Sequence, residues 1–143
     1  MLEINQAGLS WITILKKNEN FRRAYQDFDI YSVAKYGKKD VNRLLLDSGI
    51  IRNKIKINAA VENARRILAL FDEFGSFKGW LDTHHPRLLD DWIKLFKANF
   101  VFTGSEIVRE FLISTGYLPG AHDEDCPIYK KIGILKPAWA IIK

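Results

Sequence analysis

Residues 44–53 read Leu44-Leu45-Leu46-Asp47-Ser48-Gly49-Ile50-Ile51-Arg52-Asn53. Three leucines close one amphipathic segment. A polar turn with a central glycine follows, then an apolar pair, and a second amphipathic segment opens at Asn53. Gly49 permits a close backbone approach that a Cβ would block. The N–H groups of the turn and the N-terminus of the next helix would form an electropositive notch suited to a phosphate. Arg52, Lys54 and Lys56 add positive charge at the same end, and Ile51 lies within the turn. The layout predicts a helix–hairpin–helix element that grips a DNA backbone without reading sequence. A plain αα-hairpin, in which glycine only reverses the chain, has the same pattern, so the stretch alone leaves both readings open.

Working outward, apolar residues recur at helical spacing almost throughout. Asn18 is placed to cap a helix whose Phe21, Ala24, Tyr25 and Phe28 fall at i, i+3, i+4 and i+7. Asp29 is placed to cap a short helix stopping near Gly37, and a helix over 38–46 carries Val41, Leu44 and Leu45 inward. The longest element is expected from Asn53 to Phe74, with Ala60, Ala64, Ile67 and Phe71 on one stripe and Gly75 ending it. Ser76 opens a short helix through Trp80, and Pro86 breaks the chain after His84-His85. A helix over 88–98 carries Trp92, Leu95 and Phe96. Phe100-Val101-Phe102 has no second run to pair with, so it reads as an extended connector. It leads into a helix capped by Ser105, with Ile107, Val108, Phe111 and Leu112 buried. From about residue 117 the chain reads as an irregular tail, with Pro119-Gly120 and Pro127 as turn signals. The expectation is an all-α fold forming one domain over 1–143.

The 143 residues suffice for one compact core, and 48% hydrophobic with 27% charged is ordinary for a globular protein. No stretch approaches the roughly 20 apolar residues of a membrane span. The opening residues lack a basic region followed by an apolar run, so no secretion signal is read. A single cysteine, Cys126, excludes an intrachain disulfide. Together these features predict a cytoplasmic protein with no membrane partner. Residues 1–66 hold 13 Lys/Arg against 7 Asp/Glu, whereas residues 67–143 hold 9 against 10. A basic half suits a polyanion, because phosphate contacts release counterions. A solvated surface rich in lysine would show the same excess.

The N-terminal run Leu2-Glu3-Ile4-Asn5-Gln6-Ala7-Gly8-Leu9-Ser10-Trp11-Ile12-Thr13-Ile14-Leu15-Lys16-Lys17-Asn18-Glu19-Asn20-Phe21-Arg22 resembles the signature of the DNA-3-methyladenine glycosylase I (Tag) family. Its core is Gln-Ala-Gly-Leu-Ser-Trp followed by Leu-Lys-Lys-x-Glu-Asn. The stretch Asp47–Asn53 through Lys56-Ile57 resembles the family's hairpin, and Phe100-Val101-Phe102-Thr103-Gly104 its late Phe-x-Phe-x-Gly segment. The region from Gly116 through His122 to Cys126 resembles its C-terminal metal-ligand spacing. The similarity runs in order from residue 2 to about residue 126.

The resemblance implies a helix-hairpin-helix DNA glycosylase: a base-excision enzyme that flips an alkylated adenine out of double-stranded DNA and hydrolyses its N-glycosidic bond. Glu3, at the family's pocket carboxylate, would be the catalytic residue and would favour the cationic base. Trp11, at the family's pocket tryptophan, would stack on that base, a cation–π contact worth roughly 0.5–2 kcal/mol. Ser105 either contacts the base or caps its helix. Gly49, Ile51, Arg52, Lys54 and Lys56 would hold the DNA backbone. No cofactor is expected. His122 and Cys126 are half of the family's metal site, so zinc would be held only with ligands from elsewhere.

The family has a further segment ahead of Glu3, with a cysteine and a Tyr-His-Asp-x-x-Trp-Gly stretch supplying pocket aromatics and metal ligands. This sequence, starting at Met1, has no counterpart to it. One wall of the pocket is then expected to be open, and exposed apolar surface to be covered by a homodimer or by the tail Trp139-Ala140-Ile141-Ile142. Two functions follow: a 3-methyladenine DNA glycosylase of full or reduced activity, or a truncated, catalytically weak or inactive relative acting as a DNA-binding module.

Overall fold

The computed structural model describes residues 2–6 and 8–141, and among these every regular element is a helix. The N-terminal part holds α1 (Leu2–Gln6), α2 (Trp11–Lys16), α3 (Asn18–Ala24), α4 (Ile30–Ala34), α5 (Lys38–Leu46) and the long α6 (Lys54–Ala69). Then come α7 (Phe71–Phe74), α8 (Phe77–His84), α9 (Leu89–Asn99), α10 (Ser105–Ser114) and α11 (Pro127–Ile134), with short 3-10 turns at Gln26–Phe28 and Ala138–Ala140. The all-α expectation holds.

Side-chain caps set several starts, as the sequence indicates. Asp29 accepts from the Ser32 N–H at 2.7 Å, Asn53 from Lys56 at 3.1 Å and Ser76 from Gly79 at 2.9 Å. Other boundaries differ from expectation. Asn18 lies inside α3 and does not cap it. The helix ends at Ala24 because Gln26, Asp27 and Phe28 adopt φ of 51°, 56° and 61°, so Phe28 leaves the expected stripe. The fourth helix stops at Ala34, short of Gly37. The 53–74 helix breaks at Leu70, and α7 is closed by Gly75 at φ 71°. Helix α8 runs past Trp80 to His84, whose Nδ1 lies 2.7 Å from the Trp80 carbonyl.

The tail from residue 117 is not irregular throughout. Pro127 starts α11, because proline lacks only an N–H that a first helical turn leaves unbonded anyway. Trp139 stacks on Tyr129, and its backbone N–H donates to the Gly116 carbonyl at 3.1 Å. Ile142, the last apolar residue of the expected tail cover, is outside the described residues.

Two apolar clusters form. One gathers Ile14, Phe21, Tyr25, Val33, Leu44, Ile50 and Ile57 around α6. The other gathers Trp80, Trp92, Phe96, Phe100, Val108 and Leu112. Asn63 of α6 joins them: its side-chain amide donates to the Val101 carbonyl and accepts from the Val101 N–H, both at 2.9 Å. This two-point grip satisfies an extended connector that has no ladder of its own. Arg65 donates to the Ala34 and Tyr36 carbonyls at 2.8 and 2.9 Å, closing the C-terminus of α4 onto α6.

Candidate functional site

Helix α1 lies against α2, α6 and α10. The Lys56 ammonium holds it from below, donating to the Asn5 carbonyl at 3.0 Å. That anchoring sets Glu3 on the border of two cavities. The first, about 310 Å³, lies between the two clusters and is lined by Glu3, Val33, Ala64, Phe77, Phe96 and Phe111 among others. The second, about 490 Å³, is more polar than the first and lined by Glu3, Gln6, Leu9, Ser105, Glu106 and Glu110 among others. A carboxylate at the meeting of an aromatic-rich space and a polar one suits a flat heteroaromatic cation: the rings take its faces and the charge takes its edge.

Ser105 is in this setting, as a lining residue of the polar cavity. It does not cap α10; Gly104 holds the cap position, with no side-chain hydrogen bond. Trp11 departs from expectation. It is 40% exposed and lines neither cavity bordered by Glu3. Glu3 and Trp11 do not share one opening helix: α1 ends at Gln6, Gly8 turns the chain at φ 78°, and Ser10 caps a separate α2 in which Trp11 is the first residue. No side-chain pattern in the sequence marks Gln6, Leu9, Glu106 and Glu110 as neighbours of Glu3. Gly8-Leu9 within the signature run was the one legible hint, because a glycine turn beside an apolar residue exposes that residue.

The hairpin is formed as expected between α5 and α6, and Gly49 is needed there for space. A Cβ on it would come within 2.9 Å of Asp47 Oδ1 and 3.1 Å of the Asn20 side chain. Its own N–H is already donated to Asp47 Oδ1 at 2.8 Å. Among the described hydrogen bonds, the N–H groups of Ser48, Ile51 and Arg52 donate to nothing within the chain. Arg52 and Lys54 are exposed beside them. Lys56 is not: it is 6% exposed and turned inward to Asn5, and burial pulls its ammonium below the usual lysine range. As the third residue of α6 it shares the inward face with Ile57 and Ala60, so its expected place on the DNA backbone is corrected to a structural one. Lys17 reaches the hairpin from the far side, donating to the Ser48 and Gly49 carbonyls, each at 3.2 Å.

Cys126 Sγ lies 3.5 Å from His122 Nδ1, so the pair suggested by the resemblance does meet. Among the described residues no group of three or more His, Cys, Asp or Glu gathers around a common point. Two donors do not fit a four-ligand structural zinc site. No helix among the described residues is long and apolar enough to cross a membrane.

Known proteins resemble this chain in sequence and in fold. The family model described as methyladenine glycosylase matches residues 1–91. The DNA-3-methyladenine glycosylase of Haemophilus influenzae is 35% identical, with 88% of this chain aligned to 78% of that protein. DNA-3-methyladenine glycosylase 1 of Escherichia coli is 37% identical, with 90% of this chain and 78% of that protein covered. Among solved structures, 3-methyladenine DNA glycosylase I (TAG) superposes with a TM-score of 0.78 at 34% identity, covering 88% of this chain and 79% of that one. The Staphylococcus aureus enzyme, studied for its recognition of 3-methyladenine, gives 0.79 at 32% identity, covering 88% and 77%. By sequence and by fold, the chain belongs to the methyladenine glycosylase family.

Proposed function

We propose that this protein is a monofunctional DNA-repair glycosylase that excises 3-methyladenine from alkylated DNA by hydrolysing the N-glycosidic bond. The observation that carries the reading at the level of residues is the place of Glu3, on the border of an aromatic-rich cavity and a polar one. A purine methylated at N3 carries positive charge while attached to the sugar, so it is already a good leaving group. The protein then needs to hold the cation and exclude competing positions more than it needs to supply acid. Glu3 attracts the charged ring, which the aromatic lining sandwiches. Water adds its oxygen to C1′, the C1′–N9 bond breaks with its electron pair going to the base, and the surplus proton leaves to solvent. Free 3-methyladenine and an abasic site result.

Double-stranded DNA is the proposed partner. The hairpin amides and the Arg52 and Lys54 side chains would hold one backbone strand. Leu9 is 40% exposed on the Gly8 turn and lines the polar cavity, which suits it to fill the gap left by an extruded base. Incubating the protein with methylated duplex DNA tests the proposal: free 3-methyladenine should appear, and Glu3→Gln should slow its release at least tenfold (about 1.4 kcal/mol or more). No release above a heat-inactivated control, from folded protein, defeats it. The exposure of Trp11 favours a second reading, an inactive relative that binds DNA without excising the base. That reading predicts salt-dependent duplex binding, no release, and no effect of Glu3→Gln.

A further inference from the structure

The hairpin that would receive the DNA backbone is fastened by a lysine from outside it. Lys17 closes α2 and precedes α3, and its half-buried ammonium donates to two successive carbonyls of the turn, those of Ser48 and Gly49. The peptides that carry those carbonyls are completed by the Gly49 and Ile50 N–H groups, both of which already donate to Asp47, so the clamp fixes the turn from which the Ser48, Ile51 and Arg52 N–H groups project. The ammonium also neutralises the negative ends of those peptide dipoles, which would otherwise oppose an approaching phosphate. The same short helix begins at Ser10, next to the Gly8-Leu9 turn at the mouth of the polar cavity. α2 is thus a six-residue strut with the base cavity at one end and the backbone-gripping turn at the other.

We propose that Lys17 is a positioning residue for DNA binding. It contacts no phosphate itself; it holds the turn in the conformation that leaves the Ser48, Ile51 and Arg52 amides for the backbone and fixes their distance from the base cavity. Asp47 acts beside it by engaging the Gly49 N–H, which leaves the Ser48, Ile51 and Arg52 amides as the donors. This role rests on the glycosylase reading, since it needs a duplex to be held.

The test compares unaltered protein with Lys17→Met and Lys17→Arg in duplex affinity across a salt series, and in affinity for free 3-methyladenine. Losing a charge-assisted clamp should weaken duplex binding by about tenfold in Lys17→Met. Free-base affinity should stay unchanged, which also shows that the variant is folded. Lys17→Arg, whose guanidinium can donate to both carbonyls, should recover most of the loss. The slope of log affinity against log salt should stay within a few tenths of the unaltered value, because a direct phosphate contact contributes about 0.9. Equal duplex affinity in Lys17→Met overturns the proposal, as does a slope lower by about 1, which would make Lys17 a phosphate ligand. Failure of Lys17→Arg to recover binding also counts against it. If the unaltered protein binds free base but no duplex at any salt, the DNA reading fails first and this role falls with it.

Discussion

Asp82 accepts hydrogen bonds from Lys78 and from the Tyr117 hydroxyl, the latter at 2.6 Å. The Lys78 ammonium first, then the Tyr117 hydroxyl, hold its carboxyl below the usual carboxylate range. Burial, then the same hydrogen bond, push the phenol of Tyr117 above its usual range. A carboxyl depressed in the folded state stabilises the fold fully above its unfolded value, near pH 4, and that contribution is lost as pH falls through the folded value. Tyr117→Phe should therefore be less stable than the parent at neutral pH in urea denaturation. The difference should shrink steadily below about pH 4. A gap that persists undiminished at low pH would mean the hydroxyl acts through packing alone. Lys17 and Lys56 show the same dependence on surroundings: one lysine serves two carbonyls of the hairpin, and the other is buried under α1.

The hairpin and the 100–104 connector are the elements on which DNA holding and cavity shape depend. Arg52→Ala and Lys54→Ala should each lower the salt slope of duplex binding by about 0.9 if each side chain neutralises one phosphate. Lys56→Met should leave that slope unchanged, because its ammonium is turned inward. An unchanged slope in both surface variants would remove the hairpin from the interface. Gly49→Ala should weaken both folding and binding, since a Cβ there meets Asp47 and Asn20. A loss of about 1–3 kcal/mol in stability is expected from such overpacking, read by denaturant titration. In the connector, Asn63→Ala would strand the Val101 N–H and carbonyl. Its cost should reach about 2–3 kcal/mol, with loss of 3-methyladenine affinity as the cavity wall loosens. Retention of both would show that the connector is held by its aromatic neighbours alone.

At the scale of the whole molecule, the cavity of about 310 Å³ lies where the two apolar clusters fail to close on each other. Such a space costs stability unless something fills it. Ala64 faces it from α6, so Ala64→Leu should partly fill the void and leave the protein at least as stable. The same change should reduce 3-methyladenine release while sparing duplex affinity, as thermal melts and a release assay run together would show. Equal release in Ala64→Leu would move the base entirely into the polar cavity on the other side of Glu3.

Helical periodicity, the cap Asp29, the helix starts at Asn53 and Ser76, the glycine at the hairpin and the signature run carrying Glu3 are all legible along the chain. Each is a local property, decided by spacing within a few residues or by a matched stretch of sequence. What distance along the chain cannot encode is direction and burial. The inward turn of Lys56 follows from which face of α6 meets α1. Trp11 stands apart from Glu3 because a Gly8 turn separates α1 from α2. The lining of the polar cavity by Gln6, Leu9, Glu106 and Glu110, and the clamp of Lys17 on the hairpin, join residues remote in sequence. Those arrangements exist only once packing has fixed the helices against one another, because a side chain's partners are set by the surfaces it faces in space.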